Sequence, residues 1–366
     1  MKPRLIIHAG MHKTGSTSIQ HWLRNASLDD AHYFNWKQDN HSTLFTLLFE
    51  ENPYEYFALK RRGFTAENYR HRRNKARRAL IAEIEDTPVS TFIFSAERIS
   101  SASDASVEKL HRFFSKHFQR IDVYAYVRQP TGFMTSMFQQ HLKTWNSDLG
   151  FKHLWPAYQR RFDRIDRVYG QSEVHLRLYE DLRNRQTDSV SDFLEWTGVS
   201  GEGEQAVRRN TSMSSDAVAL LYFYRKYVVV TLDQRLPPKF DNRLVQAIRQ
   251  IKGERFELSL PSDPEFEQTR RAGIEWMSER MGIEYEDFDQ GESGAVVFRT
   301  DEDLVQTAIS ASHKLVVGDR KLDPNAAGSF DQAVSRLETF AKQFVQSLGS
   351  DQLPVDRIGG RPDTLE

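Results

Sequence analysis

Residues 8–23 read HAGMHKTGSTSIQHWL. A short apolar run, RLIIH, leads into this stretch, and a helical pattern leaves it. Ile19, Trp22 and Leu23 recur at helical spacing over about 16–26, so the segment reads as a buried strand, a glycine loop and an amphipathic helix. Gly10 and Gly15 let a backbone approach a ligand closely. The helix start offers free N–H groups and the positive end of a dipole. Lys13 adds a charge, and Thr14, Ser16, Thr17 and Ser18 add hydroxyls, so the design is a phosphate cradle. It is not the magnesium-dependent triphosphate loop, G-x-x-x-x-G-K-[ST]. Here Lys13 precedes Gly15 and Ser16 stands in the lysine's place, which predicts a phosphate-like group handled without a metal.

Working outward, STFIFSAE (90–97) reads as a second buried strand, and IDVYAYVR (121–128) and EVHLRLYE (173–180) as a third and a fourth strand. Helical patterns separate them at 66–85, 104–118 and from Pro130 to Lys143, and another follows at 188–196 before Gly198. Alternating strands and helices predict an α/β fold, a parallel sheet with helices on both faces. Beyond about residue 210 the pattern is mostly helical: 214–231, 239–252, 263–282, 301–315 and 328–347, with at most a short strand in GAVVFR (294–299) and a frayed tail at 348–366.

Composition sets bounds. A hydrophobic content of 39% over 366 residues is enough for a sizeable core. The formal net charge of -1 gives no global argument for nucleic-acid binding. With no cysteine, a disulfide framework, a thiolate metal site and a cysteine nucleophile are excluded, and a reducing, cytoplasmic setting is expected. No apolar run is long enough to span a membrane, and the first apolar run is too short for a signal-peptide core.

A second stretch, YVRQPTGFMTSMFQQ, follows the third strand. Arg128 leaves the strand's carboxyl end and Ser136 lies about two turns into the next helix, so a forked guanidinium and a hydroxyl could hold one phosphate between them. Glu97, at the carboxyl end of STFIFSA, is placed to act as a general base, or else to pair with Arg98 or another arginine. His12 lies within the cradle, and His8 belongs to a strand packed on both faces. Residues 60–78 hold nine lysines and arginines against one glutamate, either a solvated helix face or a patch that steers an anionic acceptor. Trp36, Trp145 and Trp155 are core anchors or sugar platforms.

The loop at 8–18, the Arg128…Ser136 pair and LYEDLRN (178–184) together resemble the sulfotransferases that use 3′-phosphoadenosine-5′-phosphosulfate. The wordings HAGMHKTGSTS and VRQP resemble the bacterial, glycan-type branch, and the likeness covers roughly residues 4–212. The resemblance implies a P-loop NTPase-like sulfotransferase fold, with a donor-binding core at 1–212 and a helical region at 213–366 that packs on it and completes the acceptor site. It implies that His12, Lys13, Thr14, Gly15, Ser16, Thr17 and Ser18 grip the 5′-phosphosulfate, that Arg128 and Ser136 take the 3′-phosphate, and that Tyr179 lies near the adenine. Arg209 and Asn210 would sit in a loop over the nucleotide, although the arginine-lysine-glycine wording of the cytosolic branch is absent there. Lys13, Glu97 and, as a second base, His12 would carry the chemistry; the glycan-type branch has a carboxylate where Glu97 stands. The acceptor would be a hydroxyl or amine on a carbohydrate or other small molecule, with no metal and no specific nucleic acid. The competing readings are a nucleotide-dependent kinase and a nucleotide-fold binding protein without activity.

Overall fold

The computed structural model describes residues 2–144, 147, 150–204, 212–229, 238–259, 263–285, 295–317, 320–321 and 329–347. Two compact units interleave along the chain. The first comprises Met1–Met137, Gly150–Thr211 and Leu260–Gln290; the second comprises Phe138–Leu149, Ser212–Ser259 and Gly291–Glu366. The segments 138–149 and 260–290 thus lie across a division of the chain at 212.

The first unit is built on five parallel strands: β1 (Arg4–His8), β2 (Ala31–Tyr33), β3 (Thr91–Ser95), β4 (Arg120–Val127) and β5 (Val174–Leu178). Their order across the sheet is β2-β3-β1-β4-β5. β1 therefore lies between strands that come later in the chain, and its carboxyl end sits at the point where the strand order reverses, the place where open α/β sheets bind ligands. His8 stands level with Ser95 on one side and Tyr124 on the other. Every residue of β1 after Arg4 is buried, as a parallel sheet covered on both faces requires. Four of the strands follow the apolar runs of the sequence. β2 does not: it is only three residues long and lies in the polar, aromatic stretch before Pro53, too short to show a period.

Helices α1 (Ser16–Asn25), α2 (Ser42–Phe49), α3 (Tyr69–Asp86), α4 (Asp104–Phe114), α5 (Pro130–Lys143), α6 (Tyr158–Tyr169) and α7 (Ser189–Thr197) follow the strands. Ile6 and Ile93 point to one face of the sheet, where Ile19, Trp22 and Leu23 of α1 and Val190 and Phe193 of α7 close a core. On the other face Phe92 and Phe94 meet an aromatic cluster with Phe34 and Phe114, the ring centroids 5.3 to 6.1 Å apart. α2 is an addition to the elements expected from the sequence; its run STLFTLLF is buried at all but one position and so carries no amphipathic signal.

α7 is tied to the sheet by one buried carboxylate. Asp192 accepts from the Tyr126 hydroxyl of β4 (2.6 Å), pairs with Arg177 of β5 (2.9 Å), and is bonded by Arg185. Arg177 also lies over the Trp196 ring at 4.3 Å.

In the second unit, α8 (Ser215–Phe223) continues into a wider turn over Tyr224–Val228, α9 spans Pro238–Arg249, and α11 (Asp301–Ala311) and α12 (Phe330–Ser347) follow; α10 (Pro264–Met281) belongs to the first unit. The weak strand expected at 294–299 is Ala295–Phe298, and it pairs in parallel with Arg255–Leu258, a partner the sequence pattern leaves unmarked. Arg225 and Asp241 form a buried two-pronged ion pair there, at 2.6 and 2.9 Å.

Removing a partner from a buried ion network leaves the other charges unpaired. Asp192→Ala should therefore lower the unfolding free energy by about 2–3 kcal/mol, discounted because Arg177 and Arg185 are partly solvated. Urea denaturation of the two proteins measures it, and a loss under about 0.5 kcal/mol would show that the network does not hold α7 in place.

Candidate active site

The cradle begins where β1 stops. The Ala9 and Met11 N–H groups donate to the carbonyls of Tyr124 (2.9 Å) and Tyr126 (3.2 Å), so pairing with β4 continues into the loop. The backbone then takes left-handed conformations at Gly10 (φ 48), Lys13 (φ 71) and Gly15 (φ 78). Gly15 has a second reason to be glycine. A Cβ there would lie 2.6 Å from the Ser189 hydroxyl at the start of α7, with no room for it. Gly15 is also the residue before α1, and no side chain caps that helix, so the first N–H groups of α1 keep their donor capacity at the loop. Lys13 is a non-glycine held at positive φ, a conformation that costs about 1–2 kcal/mol and persists only where surrounding structure imposes it.

The loop's hydroxyls divide by role. Thr14 and Ser16 are buried, and both donate back to the Met11 carbonyl, at 2.7 and 3.4 Å, so they shape the turn. Thr17 is exposed and Ser18 half-buried, which leaves these two with the backbone as outward donors.

What imposes the loop's shape is Arg128. One of its nitrogens, Nη1, donates both to the Lys13 carbonyl (2.9 Å) and to Ser136 Oγ on α5 (2.9 Å). The two residues paired from the sequence are thus in direct contact, beside the cradle. The Arg128 carbonyl accepts from the Tyr158 and Tyr285 hydroxyls, at 2.6 and 3.0 Å, which fixes the strand end. Arg128 Nε is buried and has no hydrogen-bond partner among the described residues; the nearest acid oxygen, on Glu180, is 3.6 Å away. Such an orphan donor suits an anionic ligand. Gly132 keeps α5 close: a Cβ there would lie 3.1 Å from that same Nε. Tyr179, whose N–H donates to Val127, sets its ring 5.6 Å from the Arg128 guanidinium and near Gly15.

Glu97 opens a short turn after β3, Glu97–Ser101, and the Ala96 N–H before it donates to the His8 carbonyl. That bond brings the carboxylate to the cradle, where a Cβ on Gly10 would lie 3.4 Å from Glu97 Cγ. Asn40 holds Oε2 at 3.3 Å, and no described residue donates to Oε1. The pairing with Arg98 that the sequence left open is not formed, since Arg98 binds Glu50 at 2.7 Å instead. His12 Nε2 is 3.9 Å from Glu97 Oε2, beyond hydrogen-bond reach. Burial lowers the His12 pKa, against the pull of Glu97 and with help from the Arg161, Lys13 and Arg98 cations, so His12 is neutral at neutral pH.

His8 is fully buried; Ser95 is bonded to its Nδ1 (2.8 Å), while Nε2 has no partner among the described residues. Burial takes its pKa down to about 4. His41 is likewise buried and taken down to about 3; its Nδ1 accepts from the Ser95 N–H and its Nε2 donates to the Phe34 carbonyl. Trp155 is a core anchor packed on Tyr158 and Phe266, and Trp36 is half-buried with its N–H on Thr43. Trp145, Arg209 and Asn210 lie outside the described residues. Sequence reading missed Asn40, Tyr158, Glu180, Arg161 and Tyr285. Glu180 lies within LYEDLRN but was not singled out there; the other four lie in no motif, and the fold alone carries them to the site.

No family model matches the sequence, and no curated protein matches it. Three solved structures similar to this chain are sulfotransferases or sulfotransferase domains. The one from Alicyclobacillus acidocaldarius is 14% identical, with a TM-score of 0.36, covering 64% of this chain and 98% of its own. The domain of the Synechococcus PCC 7002 olefin synthase is 14% identical, TM-score 0.36, covering 75% and 94%. The domain from the curacin biosynthetic pathway is 12% identical, TM-score 0.37, covering 78% and 99%. At this similarity the functional reading has to come from the side chains.

The buried histidines set a pH limit on the fold. Their folded pKa values lie below the unfolded value of 6.5, so between pH 6.5 and about 4 the unfolded chain binds protons that the fold excludes. Stability should be full above pH 6.5 and fall as pH drops, by about 3 kcal/mol at pH 4 from His8 alone. Denaturant unfolding at pH 7 and pH 4.5, with His8→Gln showing a shallower fall, tests this; identical pH slopes for the two proteins would contradict it.

Proposed function

We propose that this chain transfers a sulfuryl group from 3′-phosphoadenosine-5′-phosphosulfate to a hydroxyl or amine of a carbohydrate or other small-molecule acceptor. The observation that carries the proposal is a second anion site beside the first: Arg128 on Ser136, with a buried orphan Nε, adjoining an uncapped, lysine-bearing glycine loop. A donor with phosphates at both 5′ and 3′ positions needs two such sites, and ATP does not. Donor binding is assigned to residues 1–212, and a cytoplasmic setting rests on the cysteine-free composition.

The donor supplies a sulfur–oxygen bond activated by a phosphate leaving group. Catalysis then consists of positioning and charge stabilisation. Asn40 holds Glu97 Oε2, so Oε1 is the oxygen that takes the acceptor's proton as the new oxygen–sulfur bond forms. As the old bond breaks, negative charge gathers on the departing 5′-phosphate, where Lys13 and the first N–H groups of α1 meet it. Arg128 and Ser136 keep the 3′-phosphate in place throughout.

Three outcomes check this. Adenosine 3′,5′-bisphosphate should raise the melting temperature while ATP with magnesium does not; the reverse would favour a kinase. Activity should survive EDTA. Among variants, Arg128→Ala should weaken bisphosphate binding by about 2–3 kcal/mol. Because Arg128 also supports the Lys13 carbonyl, Ser136→Ala is the cleaner probe: a loss near 1 kcal/mol for the bisphosphate and none for AMP. Equal losses for both nucleotides would remove the 3′-phosphate assignment. Glu97→Gln should cut turnover by about 10²–10⁴-fold with nucleotide affinity unchanged, and an unaltered rate would transfer the role of base to His12.

A further inference from the structure

Three cations bear on His12 at the mouth of the cradle: Arg161, Lys13 and Arg98. Arg98 is committed to Glu50, and Lys13 belongs to the donor loop. Arg161, from the first turns of α6, is different. It is half-buried, and its guanidinium meets neutral groups among the described residues: the Pro156 carbonyl, the Ser100 hydroxyl at 3.5 Å, and the Phe133 ring at 5.6 Å. No carboxylate of a described residue pairs with it, while nearby Arg164, Arg167 and Arg280 each have an aspartate. Burial lowers its pKa only to about 10, so it stays charged at neutral pH. A guanidinium withdrawn from water without a counter-ion is costly, and a ligand anion can offset that cost.

Its place is specific. Ser100 closes the turn that Glu97 opens, its hydroxyl donating to the Glu97 carbonyl at 3.0 Å. Arg161 therefore stands against the turn that carries the proposed base, within electrostatic reach of His12. We propose that Arg161 is a specificity-determining residue that binds an anionic group, of the carboxylate class, on the acceptor. It would hold that group while Glu97 receives the proton from the acceptor's hydroxyl. The inference rests on the sulfuryl-transfer reading for the word acceptor, but not for anion binding at Arg161.

The test is calorimetric titration of the full chain saturated with adenosine 3′,5′-bisphosphate. Matched pairs that differ by a carboxylate are compared: glucuronate against glucose, and 4-hydroxyphenylacetate against 4-hydroxyphenylethanol. In at least one pair the carboxylate should bind about tenfold more tightly, the scale of one charge-assisted contact. That advantage should vanish in Arg161→Gln and in Arg161→Met, which keeps the packing stem, and return in part in Arg161→Lys, all with bisphosphate affinity unchanged. No advantage in either pair, or one that survives in both neutral variants, overturns the proposal. If the bisphosphate itself does not bind, the sulfuryl-transfer reading fails, and the same pairs titrated into the nucleotide-free protein decide the Arg161 site separately.

Discussion

The Arg128 guanidinium is the interaction on which the site depends. A single nitrogen donates to the Lys13 carbonyl and to Ser136, while the residue's own carbonyl takes hydroxyl bonds from Tyr158 and Tyr285. The first bond helps to keep Lys13 in a left-handed conformation that a lysine would not choose. The second fixes α5 against the end of β4. Loop, strand end and helix are thus set by one side chain that also keeps a donor, Nε, in reserve. Arg is suited to this because its fork is planar and always charged, so several acceptors can be served in one plane.

The cradle gains its donor capacity from what is missing at a helix end. Most helices of this size start with a capping hydroxyl or carboxylate, as α4, α7 and α11 do here through Ser103, Asp188 and Thr300. α1 starts with glycine instead. The Ser18 N–H turns back to the Gly15 carbonyl at 2.9 Å, those of Ser16 and Thr17 remain for a ligand, and the space a cap would fill is occupied by the Ser189 hydroxyl of α7. The buried Asp192 network, which docks α7 on Tyr126 and Arg177, therefore supports the site from outside it.

Around Glu97 the arrangement is one carboxylate among cations. Glu97 lies against Asn40, beside a neutral His12, with Arg98 neutralised by Glu50 and Arg161 lacking an acid partner among the described residues. These surroundings favour a ligand that brings its own negative charge.

The strands β1, β3, β4 and β5, the glycine loop and the Arg128–Ser136 spacing were legible because they are local. The buried strands print continuous apolar runs, the half-buried edge strand β5 prints apolar residues at alternate positions, and a loop with left-handed turns prints its glycines. β2, α2 and the partner of Ala295–Phe298 left no such trace, since a three-residue strand and a helix buried on nearly every side have no period to read. Placing Glu97 at the cradle needed the order of the sheet, because β3 lies beside β1 though about eighty residues separate them. Whether Glu97 would pair with Arg98 was likewise undecided by spacing; neighbours on a short turn point in different directions, and Arg98 turns to Glu50. Arg161 stands furthest from the sequence's reach. In QRRFDR it is one of several arginines on a helix, and only the packing of α6 decides which of them is half-buried without a carboxylate partner among the described residues. Local motifs specify chemistry that a backbone segment can carry alone; charge pairing and burial are properties of the folded neighbourhood, settled only when distant segments meet.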